Sequence, residues 1–306
     1  MSVSIENNQL DYMELGQAIK EVFTESGNYT FDKQVPVLKV DGKYMGDFFE
    51  FVIFEPRHSE PPIIYHTYSP YDIVSGKSSQ YCAIFQSAEL LLHAEVSPYV
   101  SQRTGVMSSL VLKALGYQDM PDKRVLFVGT GRVARCALAA FKLYFPGVRN
   151  IDFMNSGSDA AAFTKLASGL GIEAQRGKLD EVEVYDIIIC HSSAKEPVLT
   201  PELLGRLKQG AFISSFASED HMELAENFYN TTEAQVIVDW EQTTSEAVEL
   251  QTALDNGIAK KGDLILLRDL LRGTYSHDNA KKYTIYRSHG TPMQNLAFLQ
   301  LLMANR

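Results

Sequence analysis

The sequence predicts an α/β protein in which a doubly wound parallel sheet is joined to a second, strand-rich domain. Three observations support this fold class. From residue 124 onward, short continuous apolar runs alternate with segments of helical spacing, as in parallel strands connected by crossover helices. Before residue 100, short strand-like segments dominate. The polar, proline-bearing stretch 117–122 separates the two patterns.

The composition excludes several classes of protein. The 306 residues carry a formal net charge of −10, and 45% of them are hydrophobic and 22% charged, which suits an ordinary globular chain of two domains. No cluster of Lys and Arg offers a surface for nucleic acid. No apolar stretch is long enough to span a membrane, and the N-terminus lacks the basic start and apolar segment of a leader. We therefore expect a cytoplasmic protein without a nucleic-acid or membrane partner.

The three cysteines, Cys82, Cys136 and Cys190, are far apart in the chain. They form no CxxC or CxxH pattern, so the sequence predicts neither a metal site nor a disulfide framework. All three lie in apolar runs, which favours buried free thiols.

The first domain is predicted to contain one early helix and several strands. Apolar residues at helical spacing predict the helix over 10–23. Runs of aromatic and β-branched residues predict strands over 35–40, 48–54, 62–68, 81–85 and 89–94. A helix over 101–116 follows, with Ser101 at its N-cap and Gly116 at its C-cap.

The parallel-sheet domain begins with the apolar run 124–128. Further buried strands are predicted over 150–154, 185–190, 210–216 and 236–240, with helices over 132–144, 158–169, 244–255 and 263–272. A strand over 283–288 and a helix over 293–304 close the chain. We assign residues 119–282 to this domain, and residues 1–118 with 283–306 to the second domain.

A glycine-rich turn joins the first parallel strand to its helix, with the sequence Gly129-Thr130-Gly131-Arg132-Val133-Ala134. Gly129 permits a tight turn, Gly131 lets the backbone approach a pyrophosphate, and Ala134 allows close packing of the helix on the strand. The N–H groups at the helix start attract the anion. Because the turn follows an apolar strand and opens a helix, it predicts a Rossmann domain that binds NAD(P).

The end of the second parallel strand indicates which dinucleotide is bound. An NAD site places an acid there to hold the ribose 2′-OH, but Asp152 lies inside the strand and Asn155 is the first residue after it. Asn155, Ser156 and Ser158 are neutral groups that accept a 2′-phosphate without repulsion. Arg132 either supplies a positive charge or is a solvated surface arginine. We therefore expect NADP in preference to NAD.

Beyond the turn, a series of segments resembles the ornithine cyclodeaminase/mu-crystallin family. The segments are, in order, Gln102-Arg103-Thr104-Gly105, YDIIICHSSAKEPVL, GAFISSFASED, VDWEQTTSEAVEL, LRDLLRG and YTIYRSHGTPMQNLA. The resemblance covers roughly residues 80–306 and rests on the order of the segments more than on any one of them. That family includes alanine dehydrogenases, ketimine reductases and opine-type dehydrogenases.

The resemblance implies roles for three residues. Arg103 would bind the substrate carboxylate, which a guanidinium holds by two parallel hydrogen bonds. A family aspartate beside the nicotinamide falls on Glu219 when counted without gaps, and Asp220 is next to it. Either carboxylate can move the amine proton, although a solvated acidic loop is an equally good interpretation.

One family feature is missing. The family uses a lysine in the strand about forty residues before its arginine, but the corresponding stretch, residues 61–68, has none. His66 is the nearest ionisable group and can act as acid or base, although a lone histidine in a strand is more often structural. Lys77 and Lys39 are further candidates for substrate binding, with exposed lysines as the alternative.

Loops at the carboxyl ends of parallel strands line the cofactor cleft in such sheets. Ser192 and Ser193 follow the strand 185–190, Phe216 ends the strand 210–216, and His289 and Gly290 follow the last strand. We expect all five to lie near the cofactor. No metal-binding pattern appears.

The preferred function is an NAD(P)H-dependent oxidoreductase acting on the C–N bond of a small α-amino or α-imino acid, as an imine reductase or amino-acid dehydrogenase. The resemblance also implies a homodimer. The alternatives are a non-catalytic NADP and small-ligand binder of the mu-crystallin type and an ornithine cyclodeaminase-like ammonia lyase. A missing lysine fits lost catalysis, and it puts ornithine cyclisation in doubt.

Overall fold

The computed structural model describes residues 9–34, 37–40, 43–47, 49–55, 63–69, 71–72, 77–155, 159–216, 222–275, 278 and 280–305. The chain divides into two compact units. The first comprises Met1–Arg103 and Thr291–Arg306, and the second comprises Thr104–Gly290.

The first unit is rich in strands, as predicted. It begins with helix α1 (Tyr12–Thr24), capped by the Asp11 carboxylate, which accepts hydrogen bonds from two N–H groups of the first turn. The strands are β1 (Thr30–Gln34), β2 (Val37–Val40), β3 (Lys43–Asp47), β4 (Phe49–Glu55), β5 (Ile63–Ser69), β6 (Tyr71–Asp72), β7 (Lys77–Ser78), β8 (Tyr81–Gln86) and β9 (Glu89–Glu95).

Five of these strands form one antiparallel sheet in the order β1-β4-β5-β8-β9. Strands β8 and β9 form a hairpin, and its turn residues Ser87 and Ala88 have positive φ. Cys82 of β8 and Cys190 are fully buried, as expected of apolar runs, whereas Cys136 is only partly buried, so the expectation was wrong for this residue.

The helix α2 (Ser97–Ala114) starts four residues earlier than predicted. Ser101 is therefore not the N-cap but lies within the helix. Its side chain is buried, and its hydroxyl donates to the carbonyl of Ser97. Pro98 explains the early start, because proline is tolerated in the first turn of a helix, where N–H groups have no partner. The predicted C-cap is confirmed, since Gly116 has φ +89°.

The second unit contains the predicted parallel sheet. Its strands are β10 (Val125–Val128), β11 (Asn150–Met154), β12 (Glu173–Arg176), β13 (Ile187–Cys190), β14 (Ala211–Phe216), β15 (Ala234–Val238), β16 (Ile265–Leu266) and β17 (Tyr283–Ser288). The helices are α3 (Arg132–Tyr144), α4 (Ala160–Gly169), α5 (Pro201–Leu204), α6 (Thr243–Glu246), α7 (Val248–Asp255) and α8 (Leu267–Leu271). A last helix, α9 (Pro292–Ala304), returns the chain to the first unit.

The order of this sheet is β12-β11-β10-β13-β14-β17-β15-β16, and all its pairings are parallel. The order reverses between β10 and β13, and ligands bind at such a switch point. β17, which the sequence assigned to the other domain, is hydrogen-bonded between β14 and β15. All six of its residues are buried, so it belongs to the interior of this sheet.

Three details of this unit differ from the prediction. Strand β12 was not predicted, because it is a polar edge strand with mostly exposed side chains. The helix predicted over 244–255 is broken at Ala247 into α6 and α7. The helix predicted over 263–272 is interrupted by the short strand β16, so that its α-helical part is limited to Leu267–Leu271. In the described part of the chain, no helix has the length and apolar character that crossing a membrane requires.

Candidate functional site

The predicted phosphate turn follows β10 directly. Gly129 has φ +101°, a backbone conformation that residues other than glycine rarely adopt. A Cβ atom at this position would also collide with the carbonyl oxygen of His191. Gly129 therefore lets the turn pass close to the loop that follows β13. Its N–H donates to the Met154 carbonyl at 2.8 Å, which ties the turn to the end of β11.

Helix α3 begins within the turn, with Gly131 at its N-cap and no side chain capping the first N–H groups. A Cβ atom built on Gly131 would meet no protein atom within 4 Å. The space in front of this residue is therefore open to a ligand. Ala134 is 1% exposed, in keeping with the close packing expected of a small residue here. An uncapped helix N-terminus behind open space is a site for an anion such as a pyrophosphate.

A cavity of about 600 Å³ lies over this helix start. It brings together eight of the predicted cofactor residues, which are Gly129, Thr130, Gly131, Arg132, Val133, Asn155, Ser192 and Ser193. The other residues of its wall are Val128, Met154, Asp159, His191, Ala194 and Val198. The cavity thus joins the ends of the neighbouring strands β11, β10 and β13, and its size is typical of a small-molecule site.

Charged side chains near the β11 end of the cavity differ in their hydrogen bonds and ion pairs. Asp152 is 5% exposed and accepts a hydrogen bond from Arg124 at 2.6 Å, so its carboxylate is held inside the sheet. Arg135 donates to the carbonyl of Thr130 at 3.2 Å and lies 3.9 Å from Asp159. Arg132 is exposed and has no hydrogen-bond partner among the described residues. A free guanidinium therefore lines the cavity near Asn155.

The wall that follows β13 carries His191. Both of its ring nitrogens are buried and have no partner among the described residues, and burial lowers the pKa of His191 to about 4. The ring is therefore neutral at neutral pH. The ring of Phe216 lies 6.2 Å away, between centroids, at the end of β14. The predicted residues Ser192, Ser193 and Phe216 are thus found at the carboxyl ends of two adjacent strands.

The sequence interpretation missed Glu223, whose carboxylate lies behind this wall. It is fully buried and accepts hydrogen bonds from the Ser192 N–H, the Ser215 hydroxyl and the Phe216 N–H. In the sequence, Glu223 stands in an ordinary polar segment after β14, and only the order of the strands brings its partners together.

Asp239 makes a similar arrangement at the end of β17. This buried carboxylate accepts hydrogen bonds from the hydroxyls of Tyr286 and Ser288 and from the N–H groups of His289 and Gly290. Gly290 has φ +83°, which glycine adopts without strain. The predicted residues His289 and Gly290 are therefore fixed at the carboxyl edge of the sheet, although they do not line the cavity.

The predicted substrate residues of the first unit are in different elements. Arg103 lies in α2, is 5% exposed, and donates from Nη1 to Oε1 of Gln294 in α9 at 2.5 Å. His66 lies in β5 with its ring centroid 5.2 Å from that of Tyr68. Lys39 lies in β2 and Lys77 in β7.

Four predicted site residues, Ser156, Ser158, Glu219 and Asp220, lie outside the described residues. Among those that are described, no group of three or more His, Cys, Asp or Glu side chains is arranged to hold a metal ion.

Comparison with known proteins identifies the family. The model of the ornithine cyclodeaminase/mu-crystallin family matches residues 87–305, which is more than two thirds of the chain. The chain belongs to this family. The resemblance of the sequence segments, which covers roughly residues 80–306, is thereby confirmed. A comparison with curated protein sequences finds no match.

Solved structures share the fold of this family member. The iminosuccinate reductase of Paracoccus denitrificans, in complex with NAD+, is 16% identical with a TM-score of 0.82, and the match covers 96% of this chain and 92% of that one. The Δ1-pyrroline-2-carboxylate reductase of Thermococcus litoralis, in complex with NADH and L-proline, is 20% identical with a TM-score of 0.78, covering 97% and 95%. An archaeal alanine dehydrogenase dimer with bound NAD is 18% identical with a TM-score of 0.78, covering 97% and 92%. The predicted fold class is confirmed.

Proposed function

We propose that this protein is an NAD(P)H-dependent oxidoreductase that acts on the C–N bond of a small α-amino or α-imino acid. The observation that carries the proposal is the cavity over the N-terminus of α3, where open space lies in front of Gly131. Family membership and the solved relatives support it, because an iminosuccinate reductase, a pyrroline-2-carboxylate reductase and an alanine dehydrogenase share the fold.

The residues of the cavity fit a dinucleotide. The backbone N–H groups of Gly131 and Arg132, at the start of α3 where no side chain caps the helix, would bind the pyrophosphate. Asn155 lies at the β11 end of the cavity, where the adenosine ribose binds in doubly wound sheets. Ser192 and Ser193 form the opposite wall and would contact the nicotinamide half of the cofactor. When bound, the nicotinamide supplies the hydride that is added to the imine carbon.

NADP is the preferred cofactor. Asp152 is engaged by Arg124 inside the sheet, so this carboxylate does not hold the ribose 2′-OH, and Asp159, the carboxylate that lines the cavity, lies 3.9 Å from Arg135. Arg132 is exposed at the cavity and offers a positive charge to a 2′-phosphate. Both observations favour NADP over NAD.

The roles proposed on the substrate side follow the family resemblance. Arg103 binds the substrate carboxylate, and its hydrogen bond to Gln294 holds the guanidinium in place. Glu219 or Asp220 donates the proton that the imine nitrogen takes up as the hydride reaches the carbon. His66 is a further acid–base candidate, and Lys39 and Lys77 are further candidates for substrate binding.

One experiment tests the main proposal. Oxidation of NADPH and NADH is followed at their nicotinamide absorbance with cyclic imines and with α-keto acids plus ammonia or simple amines. We expect turnover with at least one member of the panel and a lower KM for NADPH than for NADH. Lack of dinucleotide binding by the purified protein would contradict the proposal.

A second candidate function is a non-catalytic binder of NADP and a small ligand. The observation that favours it is β5, Ile63–Ser69, which carries no lysine where the family resemblance implies one. Tight binding of NADPH without turnover on the whole panel would select this function. Release of ammonia from ornithine without net change in the cofactor would instead select the lyase.

We also propose that the protein is a cytoplasmic homodimer. The support for a dimer is the family resemblance and the archaeal alanine dehydrogenase, which was solved as one. Light scattering coupled to size-exclusion chromatography tests this directly, with a mass of about twice 34.2 kDa as the expected result.

A further inference from the structure

We infer that Glu223 is a positioning residue for the dinucleotide: its carboxylate fixes the loop after β13 as one wall of the cofactor cavity, and it does so only when deprotonated. The inference rests on the proposed dinucleotide binding. It assigns a role to a buried side chain that does not itself line the cavity.

The geometry of the carboxylate is the first support. Oε1 accepts a hydrogen bond from the Ser192 N–H at 2.5 Å. Oε2 accepts one from the Ser215 hydroxyl at 2.9 Å and another from the Phe216 N–H at 2.8 Å. Ser192 follows β13, whereas Ser215 and Phe216 end β14. A single side chain therefore links the carboxyl ends of two adjacent strands.

The backbone around Glu223 holds this side chain in place. The Glu223 carbonyl accepts hydrogen bonds from the N–H groups of Val198 and Leu199, at 3.1 and 2.9 Å. The N–H of Met222 donates to Ala194 at 3.0 Å. The backbone of the Glu223 segment is thus hydrogen-bonded to the loop after β13, and the Glu223 carboxylate binds the start of the same loop. The loop is therefore fixed at both of its ends.

That loop forms one wall of the cofactor cavity. His191, Ser192, Ser193, Ala194 and Val198 all line it. The opposite wall is the phosphate turn, which the loop approaches so closely that a Cβ on Gly129 would collide with the carbonyl of His191. A shift of the loop therefore changes the width of the cavity in which the dinucleotide would bind.

Only the deprotonated form of Glu223 satisfies all three donors well. Two of the donors are backbone N–H groups, which cannot reverse their role, and they bind different oxygens. A proton on either oxygen weakens the hydrogen bond which that oxygen accepts from an N–H group. Because the carboxylate is fully buried, a donor left without its acceptor raises the free energy of the folded state. Protonation is thus expected to loosen either the Ser192 or the Phe216 contact.

The surroundings place this titration near neutral pH. Burial raises the pKa of Glu223 to about 7, opposed by its hydrogen bonds and by the charge of Arg287 on β17. Of the other groups that face it, Cys190 on β13 and Tyr229 have pKa values raised well above their ordinary range by burial. Glu249 on α7 is paired with Arg287.

His191, which follows β13, is a further ionisable neighbour among the described residues, and its pKa of about 4 keeps it neutral over the same range. Of these groups, Glu223 is therefore the one that changes charge around pH 7.

The test compares NADPH binding by wild type and by Glu223→Gln, measured by fluorescence titration from mildly acidic to mildly alkaline pH. The amide retains one oxygen acceptor but turns an NH2 group toward the second N–H. We expect wild-type affinity to rise as the pH passes through about 7. We expect Glu223→Gln to bind about tenfold more weakly than alkaline wild type, with no such rise.

The matched control is Glu226→Gln, three residues further along the same segment. Glu226 is partly exposed, pairs with Asn256 and does not contact the cavity, so this variant should follow the wild-type curve. Because NADPH is the ligand in every titration, protonation of its 2′-phosphate affects wild type and variants equally. Saturating cofactor should restore most of kcat in Glu223→Gln, because the lesion is in binding.

Two results would overturn the inference: a Glu223→Gln curve that matches wild type, or one that is weaker but keeps the wild-type dependence on pH. If Glu223→Gln does not fold, Ser215→Ala serves in its place. Loss of this donor should raise the pKa of Glu223, so an unshifted midpoint of the binding curve would count against the inference. Wild type that binds neither NADPH nor NADH at any pH would instead refute the proposed function itself.

Discussion

Glu249 and Arg287 form an ion pair inside the parallel-sheet unit, with Oε1 of Glu249 lying 2.6 Å from Nε of Arg287 and almost no exposure of either side chain. The hydroxyl of Tyr229 donates to the same oxygen at 3.2 Å. The pair joins helix α7 to strand β17. A buried charge that loses its partner is strongly destabilising, whereas the intact pair is not necessarily worth more than apolar side chains.

We expect Glu249→Gln to lower the free energy of unfolding by about 3 kcal/mol or more, because it leaves the Arg287 charge uncompensated. Denaturation in urea measures this. The control is Glu241→Gln, which breaks the exposed pair with Arg268 and should cost no more than about 1 kcal/mol. Equal effects of the two substitutions would contradict the role of burial.

The two glycines of the phosphate turn should respond differently to alanine. Gly129→Ala places a Cβ against the carbonyl of His191 at a residue with φ +101°, so it should lower both stability and NADPH affinity. A Cβ on Gly131 meets no protein atom, so Gly131→Ala should keep the wild-type melting temperature and still weaken NADPH binding. Thermal unfolding and fluorescence titration of both variants test this. Full NADPH affinity in Gly131→Ala would show that the pyrophosphate does not lie there.

Arg132 is expected to select the cofactor. Arg132→Ala removes an exposed guanidinium from the cavity and should weaken NADPH binding about tenfold, with little change for NADH. The comparison of the two ligands in one variant is its own control, since a general loss of structure would weaken both. An equal loss for NADPH and NADH would assign Arg132 to the shared pyrophosphate.

Arg103 is expected to bind the substrate carboxylate. Once a substrate is known, Arg103→Lys should raise its KM about 10- to 100-fold, because an ammonium cannot make the two parallel hydrogen bonds of a guanidinium. The KM for NADPH should stay near the wild-type value. Steady-state kinetics with each substrate varied in turn separates the two, and an unchanged KM for the acid would remove Arg103 from the substrate site.

Glu223 should also make stability depend on pH. Its pKa is about 7 in the folded protein, above its ordinary value of 4.5, so the folded state holds a proton that the unfolded chain has lost. The associated stability is complete below pH 4.5 and is lost as the pH rises to about 7. The shift corresponds to about 3 kcal/mol. Asp239, whose pKa burial also raises, acts in the same direction.

The contribution of Glu223 is isolated by comparing the free energy of unfolding of wild type and Glu223→Gln across this range. We expect wild type to lose more stability than the variant as the pH rises. Parallel curves would show that Glu223 does not titrate there.

Local sequence patterns predicted much of the fold and the centre of the site. The strand β10, the turn with Gly129 and Gly131, and helix α3 are adjacent in the chain, so residue spacing and backbone preference are enough to identify them. The end of β11, just before Asn155, was predicted for the same reason. The start of α2 was placed wrongly at Ser101, because the serine is equally compatible with a cap and with a buried bond to the preceding turn.

By itself, then, the sequence determined the parallel-sheet fold, the family and the phosphate turn, because these depend on short-range periodicity and on glycines whose role is local. The tertiary structure decided the position of β17 within the sheet and the partners of the buried carboxylates. Glu223 reaches back to Ser192, and Asp239 reaches forward to Gly290. Such pairs depend on which strands become neighbours, and strand order is fixed by the packing of the whole unit and not by any one segment of the chain.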